Sequence, residues 1–169
     1  MLRPGSRREG RNLIARWAAE KLPDIKKRRL FYLFSALALI TVLTAWLFSA
    51  QPPEASRVQS GWLKALLLRL AGAEVPELLI RKLAHFSEYF LLGLFSGLAI
   101  RQLGWRRRRA LIALALALPA AGIDEAIQFF SARGSSFIDV GIDLTGDAAG
   151  LFIAWLSSRG GQITKISCV

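Results

Sequence analysis

The chain has 169 residues, of which 53% are hydrophobic, and it carries a formal net charge of +11 with a single cysteine. Its apolar share exceeds the roughly 45–50% of soluble domains, and its basic residues flank long apolar runs instead of lining one face of a helix. The composition therefore excludes an intrachain disulfide and a cysteine metal site. It favours a membrane protein over a nucleic-acid-binding protein, whose basic residues line one surface.

The first part of the chain predicts a tail and an anchor. Residues 1–29 hold ten Lys or Arg against three acids, which is typical of a cytoplasmic basic tail on anionic lipid. Residues 30–50 give 21 positions without a charge, enough for a membrane helix of about 20 residues. The run is long for a cleaved signal peptide, so we interpret it as an uncleaved anchor. Gln51, Pro52 and Pro53 end it.

A mixed segment follows from residue 56 to 71. Trp62 and Leu66 alternate there with Arg57 and Lys64, and the segment is too short and too charged to span. Its pattern predicts a helix lying in the membrane interface, between the first and second spans.

Three further spans are predicted at 83–100, 110–130 and 139–157, and residues 158–169 form a polar tail. Pro119 predicts a kink in the third span. The predicted fold is all-α: a four-helix integral membrane bundle with one interfacial helix, its membrane domain covering residues 30–157.

The distribution of positive charge predicts the orientation. The N-terminal tail, the 101–109 loop and the C-terminal tail hold 17 of the 23 Lys and Arg. The positive-inside rule places those segments, and with them both termini, in the cytoplasm. The expected location is therefore a membrane with the polar helix ends on its outer side.

Polar residues then converge at the outer helix ends. Five of the twelve acids lie between residues 124 and 150. An ionisable residue inside a membrane is by default a hypothesis about function. The residues expected at this depth are Ser49, Gln51, His85, Glu88, Asp124, Glu125, Gln128, Asp139, Asp143 and Asp147, the last three on one helical face by their i, i+4, i+8 spacing.

Each of these residues also has a structural interpretation. His85 is more often a core histidine than a ligand, Glu88 can extend to the interface, and Asp139 can cap its helix. Gly93-x-x-x-Gly97 and Gly146-x-x-x-Gly150 favour close helix packing. Asp147, about two turns deeper than Asp139, is the hardest to explain as a surface residue.

The order of these motifs resembles the VanZ-like family of bacterial membrane proteins over about residues 30–157. The resemblance lies in Lys82-x-x-His85-x-x-Glu88-Tyr89, Asp124-Glu125-x-x-Gln128, Arg133, Asp139, Gly146 and Gly150, and in Phe48-Ser49-Ala50-Gln51, which is similar to the family's FSxQ element. Asp143 stands where members usually have Asn, which adds a carboxylate. The resemblance implies a link to low-level resistance against teicoplanin-type glycopeptides, without a defined reaction.

Two function classes follow. In the first, the outer cluster binds or modifies an anionic lipid or a lipid-linked envelope precursor. We assign catalytic roles to His85, Glu88, Asp124, Glu125 and Asp139, and substrate binding to Lys82, Gln128, Arg133, Asp143, Ser49 and Gln51. No cofactor is expected, because the spacing matches no metal signature; a divalent ion on His85 with Glu88, Asp124, Glu125 and Asp139 is the alternative.

In the second class, the protein is a non-catalytic scaffold whose polar network fixes the bundle. An ion pathway is disfavoured because residues 110–118 are entirely apolar. A deep pocket open to the outer leaflet would favour a site, whereas tight packing around the acids would favour the scaffold. Nothing in the sequence predicts nucleic acid as a partner or fixes the oligomeric state.

Overall fold

The computed structural model describes residues 5–72, 75–131 and 136–166, which form helices and no strand. This confirms the all-α prediction for the described part of the chain. The helices are α1 (Gly5–Ser49), α2 (Pro53–Ala71), α3 (Glu77–Gln102), α4 (Arg107–Phe130) and α5 (Phe137–Ile166).

The helix ends follow local chemistry. Pro52 adopts an extended conformation (φ −62°, ψ 153°) after α1, and Pro53 takes the first position of α2, where a missing N–H costs little. Gly72 ends α2 in the left-handed conformation (φ 66°), which glycine adopts without strain. Its N–H donates to the Leu68 carbonyl at 2.9 Å.

Two helices begin before the apolar runs that predicted their spans. α1 is one continuous helix from Gly5, which includes most of the predicted basic tail as well as the first span. α3 begins at Glu77, ahead of the predicted 83, because Arg81 and Lys82 occupy its first turns. Charged residues at the interface extend a helix beyond its apolar segment, which hydropathy alone does not reveal.

Within the described residues, three helices are long and apolar enough to cross a membrane: Asp24–Ser49, Glu77–Gln102 and Arg107–Phe130. The chain is accordingly a helical membrane protein. Asp139, Asp143 and Asp147 lower the hydropathy of the first half of α5, and its role as a fourth span stays a prediction.

The core of the bundle lies between α3 and α5, which run parallel and pack along most of their length. A Cβ on Gly93 would clash with the Asp147 backbone, and one on Gly150 would clash with the Phe90 backbone. The predicted role of these glycines in close packing is thereby confirmed. α1 lies along α3, and α4 packs against α5, with further contacts to α1 and α3.

α2 contacts α3 but turns large apolar side chains away from the protein. Val58 is 75% exposed and Trp62 is 70% exposed, so the described part of the protein leaves that face uncovered. The helical part of the prediction for 56–71 is confirmed, and its placement in the interface stays a prediction.

Candidate functional site

A histidine lies between two buried carboxylates where α3, α4 and α5 meet. His85 Nδ1 is 3.3 Å from Asp124 Oδ2 and 3.6 Å from Asp143 Oδ1. Asp124 and Asp143 are both 0% exposed, and His85 is 8% exposed. These are ion-pair distances, and His85 Nδ1 makes no hydrogen bond of good geometry to either oxygen.

Gln128 connects the histidine to the acids of α4. Its Nε2 donates to Asp124 Oδ2 at 3.1 Å and lies 3.4 Å from Glu125 Oε1 and 3.5 Å from His85 Nε2. The spacings i, i+3 and i, i+4 place both acids on the face of α4 that carries Gln128. We call His85, Asp124, Glu125, Gln128 and Asp143 the polar cluster.

Ser136, the residue just before α5, contacts one side of the polar cluster. The Ser136 backbone N–H donates to Glu125 Oε2 at 2.7 Å. Glu125 also borders a cavity of about 150 Å³ whose other walls are Gly122, Ser136, Phe137 and Val140. Glu125 therefore accepts a hydrogen bond from Ser136 and also lines this cavity.

A second polar contact lies toward the start of α3 and α5. Lys82 Nζ donates to Asp139 Oδ1 at 2.6 Å, with the two side chains 30% and 18% exposed. We call this contact the rim pair. It is more accessible than the polar cluster, and it neutralises one acid near the helix ends.

Several buried polar atoms of the polar cluster have no hydrogen-bond partner in the described part of the chain. They are His85 Nδ1, Asp124 Oδ1, Gln128 Oε1, and both Asp143 oxygens. Buried polar groups in folded proteins are almost always partnered, so this concentration requires an explanation. These atoms are the ones in the cluster that could contact a ligand.

The structure thus brings together five of the predicted site residues as the polar cluster and two as the rim pair. Ser49 is 2% exposed at the end of α1, and Gln51 Oε1 is buried in the turn that follows. Glu88 follows His85 by one helical turn on α3. Arg133 lies outside the described residues. The catalytic and binding roles of all these residues stay predictions.

Two buried polar residues were not assigned to the site by the sequence. Tyr89 is 1% exposed, and its hydroxyl has no hydrogen-bond partner in the described part. It lies one turn after His85, and that i, i+4 spacing was the signal available. Asp147, 1% exposed, is the deep aspartate that the sequence had marked as difficult to explain.

Comparison with known proteins identifies the family. The sequence model of the VanZ/LLP1 family matches residues 30–158, more than half of the chain, which confirms the predicted resemblance. Neither a curated protein nor a solved structure gives a significant match.

Proposed function

The chain belongs to the VanZ/LLP1 family, and we propose that its polar cluster binds and acts on the polar head of a lipid at the outer leaflet. The substrate class is an anionic lipid or a lipid-linked envelope precursor. In this proposal α5 is the fourth span, both termini are cytoplasmic, and the protein resides in the bacterial cytoplasmic membrane. The charge asymmetry of the loops supports that orientation.

One observation carries the proposal: Asp143 is fully buried beside His85, and neither of its oxygens has a hydrogen-bond partner in the described part. A network that served packing alone would give both Asp143 oxygens a hydrogen-bond partner, because leaving a buried carboxylate unpartnered is costly. Ionisable residues that are kept inside a membrane in spite of this cost usually serve a function.

In this proposal the rim pair and the polar cluster have different roles. Lys82, at the more exposed rim pair, is the cation that an anionic head group meets first. His85 with Asp124 supplies a proton donor and acceptor deeper in the bundle. The 150 Å³ cavity beside Glu125 has room for a small polar group and not for a whole lipid. The acyl or polyprenyl chain therefore stays in the bilayer.

A link to glycopeptide resistance follows from the same proposal, because teicoplanin-type antibiotics act on lipid-linked precursor outside the membrane. Expression of the wild-type chain in a susceptible bacterium is expected to allow growth at a higher teicoplanin concentration than Asp124→Asn does. Equal growth of the two strains, at equal membrane levels of protein, would dissociate the polar cluster from this phenotype.

The alternative is the scaffold, and one observation favours it. Asp124, Gln128 and Asp143 are 0% exposed, which is the tight packing that a structural network requires. On that account the acids only fix the crossing of α3, α4 and α5, and lipid identity has no effect on the protein.

Thermal unfolding of the purified protein in mixed micelles distinguishes the two. Undecaprenyl phosphate or phosphatidylglycerol is expected to raise Tm by about 3–6 °C over phosphatidylethanolamine at tenfold excess over Kd. Lys82→Gln should reduce this increase, whereas Arg108→Gln, the matched loss of a positive charge at the start of α4, should preserve it. The same Tm in all three lipids would favour the scaffold.

A further inference from the structure

The polar cluster contains a group of three ligands with the geometry of a metal site. One ligand atom from each of His85, Asp124 and Asp143 lies within 4.8 Å of the other two, and all three residues are buried. They come from three different helices, so the bundle itself sets their separation. From this arrangement we propose that the three side chains bind one divalent transition-metal ion, Zn²⁺ or Mn²⁺.

The distances fit a common ion. Zn²⁺ binds His nitrogen and carboxylate oxygen at about 2.0–2.2 Å, which places tetrahedral ligand atoms about 3.4 Å apart. His85 Nδ1 lies 3.3 Å from Asp124 Oδ2 and 3.6 Å from Asp143 Oδ1. These separations are long for a hydrogen bond and close to the distance between neighbouring ligand atoms around one metal ion. Three protein ligands leave the fourth position open for water or substrate.

The unpartnered atoms independently point to an occupant. Asp143 is 0% exposed, its Oδ1 points at His85, and both of its oxygens lack a hydrogen-bond partner in the described part. His85 Nδ1 also lacks a hydrogen-bond partner there. Of the two Asp124 oxygens, Oδ1 lacks a partner, whereas Oδ2, which lies nearest His85, accepts a hydrogen bond from Gln128. One ion would engage the nitrogen and both carboxylates at once, which explains why atoms on three helices are left without partners in the same place.

Charge supports the same assignment. A neutral imidazole with two carboxylates carries a charge of −2, and a divalent cation balances it in a region of low dielectric. Lys82 does not supply this balancing charge, because it pairs with Asp139 in the rim pair. Gln128 acts from outside the ligand set, because its Nε2 donates to Asp124 Oδ2 and so orients that carboxylate.

The ligand types select the class of ion. Imidazole suits Zn²⁺ and other first-row metals, whereas carboxylates suit Mn²⁺ and Mg²⁺ as well. One nitrogen with two oxygens therefore favours Zn²⁺ or Mn²⁺ over Ca²⁺, which takes oxygen ligands alone. This departs from the sequence-based expectation of no cofactor. The reason is that Asp143, which the sequence placed among substrate-binding residues, is the third ligand. The three ligands lie on different helices, so their spacing in the sequence does not reveal that they meet.

Metal content of the full-length protein tests the inference. The protein is purified in detergent without a polyhistidine tag, stripped with a chelator, and titrated with Zn²⁺ and with Mn²⁺. We expect the wild type to bind about one equivalent of at least one ion and to gain Tm. Asp143→Asn should bind at least tenfold more weakly, while Asp147→Asn, the matched loss of a buried acid one turn further along α5, should bind like the wild type.

Two results would overturn the inference: a wild type that binds neither ion, or an Asp143→Asn variant that binds as tightly as Asp147→Asn. If Asp143→Asn does not fold, pulsed EPR of the Mn²⁺-loaded wild type decides. His85 is the chain's single histidine, so an imidazole nitrogen coupled to Mn²⁺ supports the site and its absence removes it. The inference does not depend on lipid binding: a wild type that gains Tm from undecaprenyl phosphate but binds no metal would contradict this inference alone.

Discussion

Lys82 and Asp139 are 57 positions apart in the sequence, and their side chains meet at 2.6 Å between the first turns of two parallel helices. This contact joins α3 to α5 at the end where the polar residues collect. Because both side chains are partly exposed, the contact is worth less than a buried ion pair.

The rim pair should therefore show a modest coupling. We expect Lys82→Met and Asp139→Asn each to lower the free energy of unfolding, and the double variant to lose less than the sum of the two. A coupling energy of about 1 kcal/mol or less is expected from a double-mutant cycle of thermal unfolding in detergent. Fully additive losses would show that the contact contributes nothing to stability.

The packing of α3 against α5 gives a sharper prediction. A Cβ on Gly93 would clash with the backbone of Asp147, which cannot move without displacing α5. Gly93→Ala is expected to destabilise the protein by about 1–3 kcal/mol, the usual range for overpacking. Gly122→Ala on α4 is the control, because a Cβ there would meet no atom of the other helices within 4 Å. The control should be neutral or stabilising, since alanine favours a helix. Equal stability of the two variants would contradict the close packing.

The membrane topology can be tested by reporter fusion. The prediction of four spans with both termini in the cytoplasm rests on 17 of the 23 Lys and Arg lying in three segments of the same side. A C-terminal reporter that is active only outside the cytoplasm should be silent, and one placed in the link between α4 and α5 should be active. An active C-terminal fusion would move the polar cluster to the inner face.

The surface position of α2 gives a labelling prediction. With Cys168 replaced by Ser, single cysteines are placed at Trp62, Leu66 and Lys64, all exposed on the protein itself. In membranes, lipid should shield the first two from a water-soluble thiol reagent and leave the third reactive. In detergent, which shields less, the difference should shrink. Equal labelling in membranes would identify a helix surrounded by water.

Much of the fold could be predicted from the sequence because its signals are local. Apolar runs predicted the helices, the pair Pro52–Pro53 predicted the end of α1, and glycine spacing predicted close helix packing, which the structure shows between α3 and α5. The start of α1 and the start of α3 were misplaced, because hydropathy marks the apolar part of a helix and says nothing of the charged turns that continue it.

The site was harder to predict because its contacts join different helices. The sequence indicated that Asp124 and Gln128 lie at a similar depth, and helical spacing indicated that Asp143 lies one turn from Asp139 on the same face. It did not indicate that Asp139 takes Lys82 as its partner while Asp143 faces His85. Which aspartate meets which partner depends on the rotation of α5 about its axis relative to α3. The close contacts at the glycines of both helices fix that rotation.

The most direct test of the central claim, that the polar cluster is a binding site and not a packing device, is the thermal unfolding of chelator-stripped wild type and Asp124→Asn with and without undecaprenyl phosphate. This change keeps the shape of the side chain and removes one of two buried acids that flank His85. A site predicts that Tm without lipid stays within a few degrees of the wild type or rises, because repulsion between the buried acids is relieved. It also predicts that the lipid-dependent gain of about 3–6 °C is lost. A large fall in Tm without lipid, together with an undiminished lipid effect, would contradict the claim and identify the acids as structural.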